Sequence, residues 1–255
     1  LGGAASYFSA RRRGRNEVFG SGAADAAYGD LPAPGSTTTA FATTRLIADA
    51  DLGAMATIEF VPPKGIEPWQ GAVLMREQID DTTVSAWFSG LVAKEAIDLQ
   101  KEGSRVTLVP GAKRNELDVK SAAHLDAILH GRDELILGSY DKAFTAEWRS
   151  VRADQVEQIG ESGWWKRLPP GASSGGQAQA LVFAGVILAV CLGFGSVLVA
   201  GLGLFRAWPM ALVFGLVAPA VMATFVYRVL LPARSGAGSA LALRTESFRR
   251  FLEQS

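Results

Sequence analysis

Two stretches without a charged side chain dominate the pattern of apolar and polar positions. Ala180 to Phe205 holds none, and after Arg206 a second apolar run extends from Ala207 to Tyr227. As helices rising ~1.5 Å per residue, each is long enough to cross a hydrocarbon core of ~30 Å. Arg206, Ala207 and Trp208 at the junction leave no room for a domain between them. The pattern therefore predicts an α-helical transmembrane hairpin over 178–231, with both ends on one side of the bilayer. Small residues recur along both runs, Gly185, Ala189 and Gly193 in the first and Ala211, Gly215, Pro219 and Ala223 in the second. Such faces let helix backbones approach closely, which predicts packing on each other or on partner helices.

Upstream the periods are shorter. Leu1 to Phe8 is a small apolar stretch followed by Arg11, Arg12, Arg13 and Arg15. It reads either as the end of a preceding transmembrane helix with its basic anchor (1–15) or as a flexible basic tail. Residues 16–42 are rich in Gly, Ala, Ser, Thr and Pro and lack an apolar period, as expected of a linker. A folded domain is expected over 43–165, divisible into units 43–115 and 116–165. Its first element is a strand, Ala56 to Val61, stopped by Pro62 and Pro63, which cannot donate to a ladder.

Pro68 suits a first helical position, and Val73, Leu74 and Ile79 give that helix a short apolar face. A second helix, capped by Thr82, carries Val84, Trp87, Phe88, Leu91 and Val92 at i, i+3, i+4, i+7 and i+8. Ile97 and Leu99, a turn at Lys101 to Ser104, then Val106, Leu108 and Pro110 form a hairpin. Helix, helix and wing in this order suggest a winged-helix module. The second unit repeats the pattern more weakly: a helix with Leu125, Ile128 and Leu129 ending at Gly131, a short strand or connector at Leu135 to Leu137, and a long helix marked by Phe144, Trp148, Val151, Val156 and Ile159 that stops near Gly163. The expected fold class is an α+β cytoplasmic domain of winged-helix character plus the transmembrane hairpin.

Charge refines the topology. The 25 basic and 25 acidic side chains balance, yet no Asp or Glu lies between Glu161 and Glu246, where Lys166, Arg167, Arg206, Arg228, Arg234 and Arg244 do. The excess of basic residues flanking the hairpin over its tip predicts, by the positive-inside rule, that both ends face the cytoplasm. Trp164, Trp165, Lys166, Arg167, Arg228 and Arg234 are candidates for the membrane interface, one tryptophan packing in the core and the other meeting the headgroups. The segment 232–255 reads as a cytoplasmic amphipathic tail in which Leu243, Ser247, Phe248, Phe251 and Leu252 share a side. It lies on the anionic inner leaflet or docks on the winged-helix region as a closing helix.

Several segments carry a resemblance. IEFVPP at Ile58 to Pro63, GIEPWQGAVLMREQI at Gly65 to Ile79 and the helix and wing from Val84 to Val109 resemble the YciQ-like family of bacterial predicted membrane proteins, with domain of unknown function 2207. LDAILHGRDE at Leu125 to Glu134, EQIGESGWW at Glu157 to Trp165 and LRTESFRRFLE at Leu243 to Glu253 are similar as well. The resemblance implies a multi-pass protein of the bacterial plasma membrane, an extracytoplasmic domain and a span upstream, and a winged-helix-like cytoplasmic region; it implies no activity. The pattern departs at Glu95 and Ala96, where a Gly and an aromatic residue are expected at the turn from helix to wing.

Candidate chemistry is sparse. From Thr43 to Gly163 there are 13 basic against 20 acidic side chains, a net −7, and Lys94 is the sole cation of the would-be recognition helix. That surface repels phosphates, so no nucleic-acid partner is expected. His124 and His130, six apart, point about 240° from each other around a helix and do not form the i, i+4 pair a metal needs. Asp80 with Asp81 and Asp133 with Glu134 sit at helix boundaries, where capping or solvation explains them. The lone Cys191 offers neither a disulfide nor a thiolate cluster. With no cofactor, metal or catalytic residue indicated, the expected role is a non-enzymatic, membrane-anchored interaction or scaffold protein. Its expected partners are the lipid bilayer and other membrane proteins or further copies of itself. A component of a transport or envelope-assembly complex is the alternative, and a membrane-tethered transcription regulator the third reading.

Overall fold

The computed structural model describes residues 2–19, 44–103, 105–172, 185, 217–227 and 231–255. In chain order the elements are α1 (Gly2–Arg13), β1 (Asn16–Phe19), β2 (Thr44–Ile47), α2 (Asp49–Ala54), α3 (Pro68–Arg76), α4 (Asp81–Ala93), β3 (Ile97–Glu102), β4 (Arg105–Pro110), α5 (Val119–Leu129), β5 (Leu135–Leu137), α6 (Lys142–Glu161), β6 (Trp165–Arg167), α7 (Ala218–Phe225), β7 (Ala233–Arg234) and α8 (Gly236–Gln254). They fall into two compact units, one of residues 1–63 with 162–255 and the other of residues 64–161.

The contiguous unit 64–161 is built from strong local signals. Pro68 opens α3, and Glu67 and Gln70 form a reciprocal capping box in front of it. The N-cap of α4 is Asp80, whose carboxylate accepts from Thr82 N at 3.0 Å, so the cap lies two residues before the expected Thr82. Asp118 caps α5 in the same way through Ser121 N at 2.9 Å. Gly103, at φ +60, turns β3 into β4, and the antiparallel register opposes Leu99 to Leu108. The core comprises Val73, Leu74, Val84 and Leu91 from the first helix pair with Leu125, Ile128, Leu129, Val151 and Ile159 from the second, all essentially shielded from water. Each such aliphatic side chain contributes about 1.5–3 kcal/mol by leaving water.

Two expectations are corrected. The helix–helix–hairpin order is present, but winged-helix character is not supported. β4 has a second ladder edge, and Leu135–Leu137, arriving after α5, fills it to make the order β3-β4-β5. The unit is thus a small α+β fold. Nor is the transmembrane hairpin supported, because no helix among the described residues is long and apolar enough to cross a membrane. Most of 178–231 lies outside the described residues. Its described helix, α7, has 8 residues and rises only about 12 Å, well short of a hydrocarbon core of ~30 Å.

The discontinuous unit draws together distant segments. β1 pairs antiparallel with β2, and β6 with β7. Asn16, fully buried, joins the ladders: its Nδ2 donates to Asp49 Oδ1 at 2.8 Å and its Oδ1 accepts from Arg234 N at 2.8 Å. β1 therefore begins inside the segment expected to be linker, while residues 20–43 lie outside the described ones. Val18, Ile47, Leu52, Ala56 and Leu243 form its core. The stretch 56–61 is not a strand. It runs along α8, where Thr57 N donates to Ser247 Oγ at 3.0 Å and Glu59 N to Ser247 O at 3.2 Å. Residues 44–63 thus join this unit rather than the one that follows them.

The segment read as an amphipathic tail forms α8, which packs within this discontinuous unit. Leu241 and Leu243 are buried, Arg250 donates to Ala56 O at 2.7 Å and Gly53 O at 2.9 Å, and Arg244 pairs with Glu59 at 3.5 Å. Its seat requires Gly238, because a Cβ there would lie 2.0 Å from the Trp164 carbonyl oxygen.

Candidate functional site

Two depressions mark the unit 64–161, one polar and one apolar. The polar cleft, of about 190 Å³, lies among α3, α4, α5 and α6, with Trp69 and Trp87 in its wall. His124 on α5 is held there by α6 through both ring nitrogens: Nδ1 meets Glu147 Oε1, and Nε2 lies 2.9 Å from Asp154 Oδ2. Trp87 packs edge-on against the imidazole at 5.9 Å. Both nitrogens are occupied, which leaves neither to activate a nucleophile.

The other charges of the cleft are paired too. Lys94 bonds Glu67 at 2.8 Å and Lys120 bonds Glu157 at 3.0 Å. The hydrogen bond to Glu157, with the charges of Asp154 and Glu157, holds the Lys120 ammonium above its ordinary value. Burial pushes the Asp118 carboxyl up, but the bonds from Ser121 and the Lys94 charge outweigh it and leave it below the carboxylate range. Below the cleft, Gln155 Nε2 donates to Thr83 O at 3.0 Å, and Thr83 Oγ1 lies 2.8 Å from Gln155 Oε1. This network ties α5 and α4 to α6. No group of three or more His, Cys, Asp or Glu among the described residues is placed to hold a metal ion.

The apolar groove is different. It lies between one face of the sheet and the helices α4 and α6, also with about 190 Å³ of space. Phe88 stacks at 5.7 Å on Phe144 and at 5.6 Å on Trp148. Trp148 is anchored by its Nε1, which donates to Asp81 Oδ1 at 3.0 Å. Leu99 from β3 is 45% exposed and Val92 from α4 is 36% exposed. The groove is thus walled by stacked aromatic side chains and open to solvent. Phe88 and Val92 are four apart on α4, and Phe144 and Trp148 four apart on α6, so each pair shares a helix face. The periodic stripe on α4 announced half of the groove; its opening toward β3 is a tertiary fact.

The residues singled out by sequence separate. Trp164, Trp165, Lys166, Arg167 and Arg234 meet at β6 and β7 in the discontinuous unit. Trp165 is buried with the Arg234 guanidinium 5.7 Å from its ring centroid, and Trp164 O accepts from Ser235 N at 2.8 Å. Lys166 pairs with Glu17 at 3.5 Å. Arg167 Nε donates to Leu231 O at 2.8 Å, and burial with the nearby Arg15 charge holds its guanidinium below the ordinary value. Of the small residues, Gly185 is helical and Ala223 lies half-buried on α7. Ala189, Gly193, Ala211, Gly215 and Arg228 lie outside the described residues. His130 caps α5 in the left-handed conformation at φ +50. Sequence reasoning missed the His124 clamp, although Glu147 and Asp154, seven apart on one helix, share a face.

No curated protein and no solved structure is significantly similar to the chain. A family model described as "Predicted membrane protein (DUF2207) C-terminal domain" matches residues 57–255, which include the whole unit 64–161 and α8. The chain therefore belongs to this family of predicted membrane proteins, whose domain has no assigned function, and it carries the family's C-terminal domain.

Proposed function

We propose that the protein is a membrane-associated interaction module in which the unit 64–161 receives an apolar segment of a partner protein in the groove between its sheet and helices. The observation that carries this reading is the solvent-open stack of Phe88, Phe144 and Trp148 beside exposed Val92 and Leu99. Exposed apolar surface of this kind, rimmed by polar residues, marks interaction sites. The unit carries 12 basic and 17 acidic side chains, a net −5, so the fitting partner segment is apolar with basic flanks and nucleic acid is disfavoured. The description of the family as membrane proteins supports placing the encounter at a membrane, and the basic excess between Glu161 and Glu246 supports the cytoplasmic side of the bacterial plasma membrane.

The test is purification of the full chain from its own membranes, unaltered and as Val92→Asp with Leu99→Asp. Both side chains are exposed, so the variant keeps its fold. A partner that accompanies the unaltered chain in fixed stoichiometry is expected to fall at least tenfold in the variant, a loss of about 1.4 kcal/mol or more. Equal recovery from both would overturn the reading.

A further inference from the structure

We infer that Phe8, Arg11, Arg12 and Arg13 of α1, together with the exposed stripe along α7, form a docking surface for the headgroup layer of a membrane containing anionic phospholipid. The inference rests on the membrane association proposed above and names the lipid chemistry and the residues that meet it. Val217, Val221 and Phe225 fall at i, i+4 and i+8, one face of a helix, and are 49%, 63% and 47% exposed. Phe8 is 59% exposed on α1, which packs beside α7.

The two helices lead into neighbouring strands. α1 runs into β1 and α7 toward β7, and these strands are pinned by Asn16 Oδ1 accepting from Arg234 N at 2.8 Å and by Arg15 Nη1 donating to Pro232 O. Leu231 N donates to Val226 O at 3.0 Å just beyond α7, so the C-terminal ends of both helices, with the three arginines on α1, lie near these pinned strands. Arg11, Arg12 and Arg13 are exposed and form no ion pair among the described residues. Arg15, by contrast, is turned inward to Asp49 at 3.1 Å and belongs to the fold.

Beside Phe8, Arg11 and Arg12 an open cleft of about 280 Å³ faces Ala48 and Ala50, with Asp51 as its one carboxylate. Two guanidiniums over one carboxylate favour an anion, and the space accommodates a lipid phosphate. Apolar residues beside a cluster of exposed cations match the layered chemistry of a bilayer surface: acyl chains next to phosphates. Each arginine near an anionic leaflet is worth roughly a fivefold change in local binding, so three together give on the order of a hundredfold.

The test labels the full chain at Ser9→Cys, in a Cys191→Ala background, with an environment-sensitive dye and reconstitutes it in nanodiscs. One set contains phosphatidylcholine alone and the other a mixture with phosphatidylglycerol. The expected result is a blue-shifted, brighter emission in the mixture only. Raising the salt, or Arg11→Gln with Arg12→Gln and Arg13→Gln, is expected to abolish it, while the three Arg→Lys substitutions preserve it. Identical emission in the two lipids, or a response that survives the glutamine variant, would overturn the inference. Flotation of the unlabelled full chain with vesicles of each composition tests membrane association separately: a chain that floats with neither refutes the parent reading, whereas one that floats but shows no lipid-dependent emission refutes only this site.

Discussion

At Glu95 the backbone adopts φ +58, a left-handed conformation that L side chains enter at a cost. The turn nevertheless closes, because Ala96 N donates to Leu91 O at 2.9 Å and Gly111 N to Ala96 O at 2.9 Å. Glycine is the residue that the resemblance implies at 95, and the structure shows there the left-handed conformation that favours it. Glu95→Gly is expected to stabilise the unit by about 0.5–1 kcal/mol, read from thermal unfolding. Gly111→Ala is expected to do the reverse. A Cβ there would stand 2.2 Å from Glu95 O, which is backbone and cannot swing away, so a loss of about 1–3 kcal/mol follows. An unchanged melting temperature would contradict the close approach of residues 95 and 111. His124→Ala leaves Glu147 and Asp154 without their shared partner, at a cost of about 1–3 kcal/mol in the same assay.

Among the elements, three helices of the unit 64–161 begin on an aspartate that holds a backbone N–H: Asp80 for α4, Asp118 for α5, and Asp141, which accepts from Phe144 N at 2.8 Å, for α6. Burial pushes Asp80 up, but Arg76 and the Thr82 and Thr83 amides hold it below its ordinary value; the Phe144 amide and Arg132 do so for Asp141, as Ser121 does for Asp118. A carboxyl depressed on folding binds its proton more weakly in the folded state. Its stabilisation is thus complete above the ordinary carboxylate value of about 4 and disappears as the pH falls through the lower folded value. Acid titration of the unfolding free energy is expected to decline only below about pH 4 from these groups, and Asp118→Ala to remove its share along with about 1 kcal/mol at neutral pH. A variant with the acid limb of the unaltered protein would contradict this. These caps show why helix order was legible in sequence. Pro68, Asp80, Gly103 and Gly131 act on their own neighbours within a few residues. The failed strand at 56–61 shows the opposite case, since its β-prone residues are satisfied instead by Ser247, some 190 residues away. β1 was concealed similarly, because only pairing with β2 makes Asn16–Phe19 a strand.

On the scale of the whole molecule, the chain makes one unit from consecutive residues and another from two separated segments. Residues 64–161 own a complete apolar core and close their polar cleft with internal ion pairs, so that stretch alone is expected to fold with a single cooperative thermal transition. A featureless melt would show that it depends on the remainder. Residues 1–63 and 162–255 share the buried Asn16 bridge and the seat of α8, which makes neither segment sufficient. Sequence placed the domain boundary at 43 because composition changes there; the partition at 63/64 depends on contacts of 44–63 with the far end of the chain, which no local window contains. The apolar groove stood half revealed by the stripe Val84, Trp87, Phe88, Leu91 and Val92. Which members face inward became visible only once Leu99 and Trp148 flanked them. The most direct measurement is photocrosslinking in intact membranes from a benzophenone residue at Leu99, with Val119, 87% exposed and outside the groove, as the reference position. A discrete adduct with one protein species from position 99, absent from 119 and lost on Val92→Asp, is predicted; equal labelling from both positions, or none from either, would contradict a partner-binding groove.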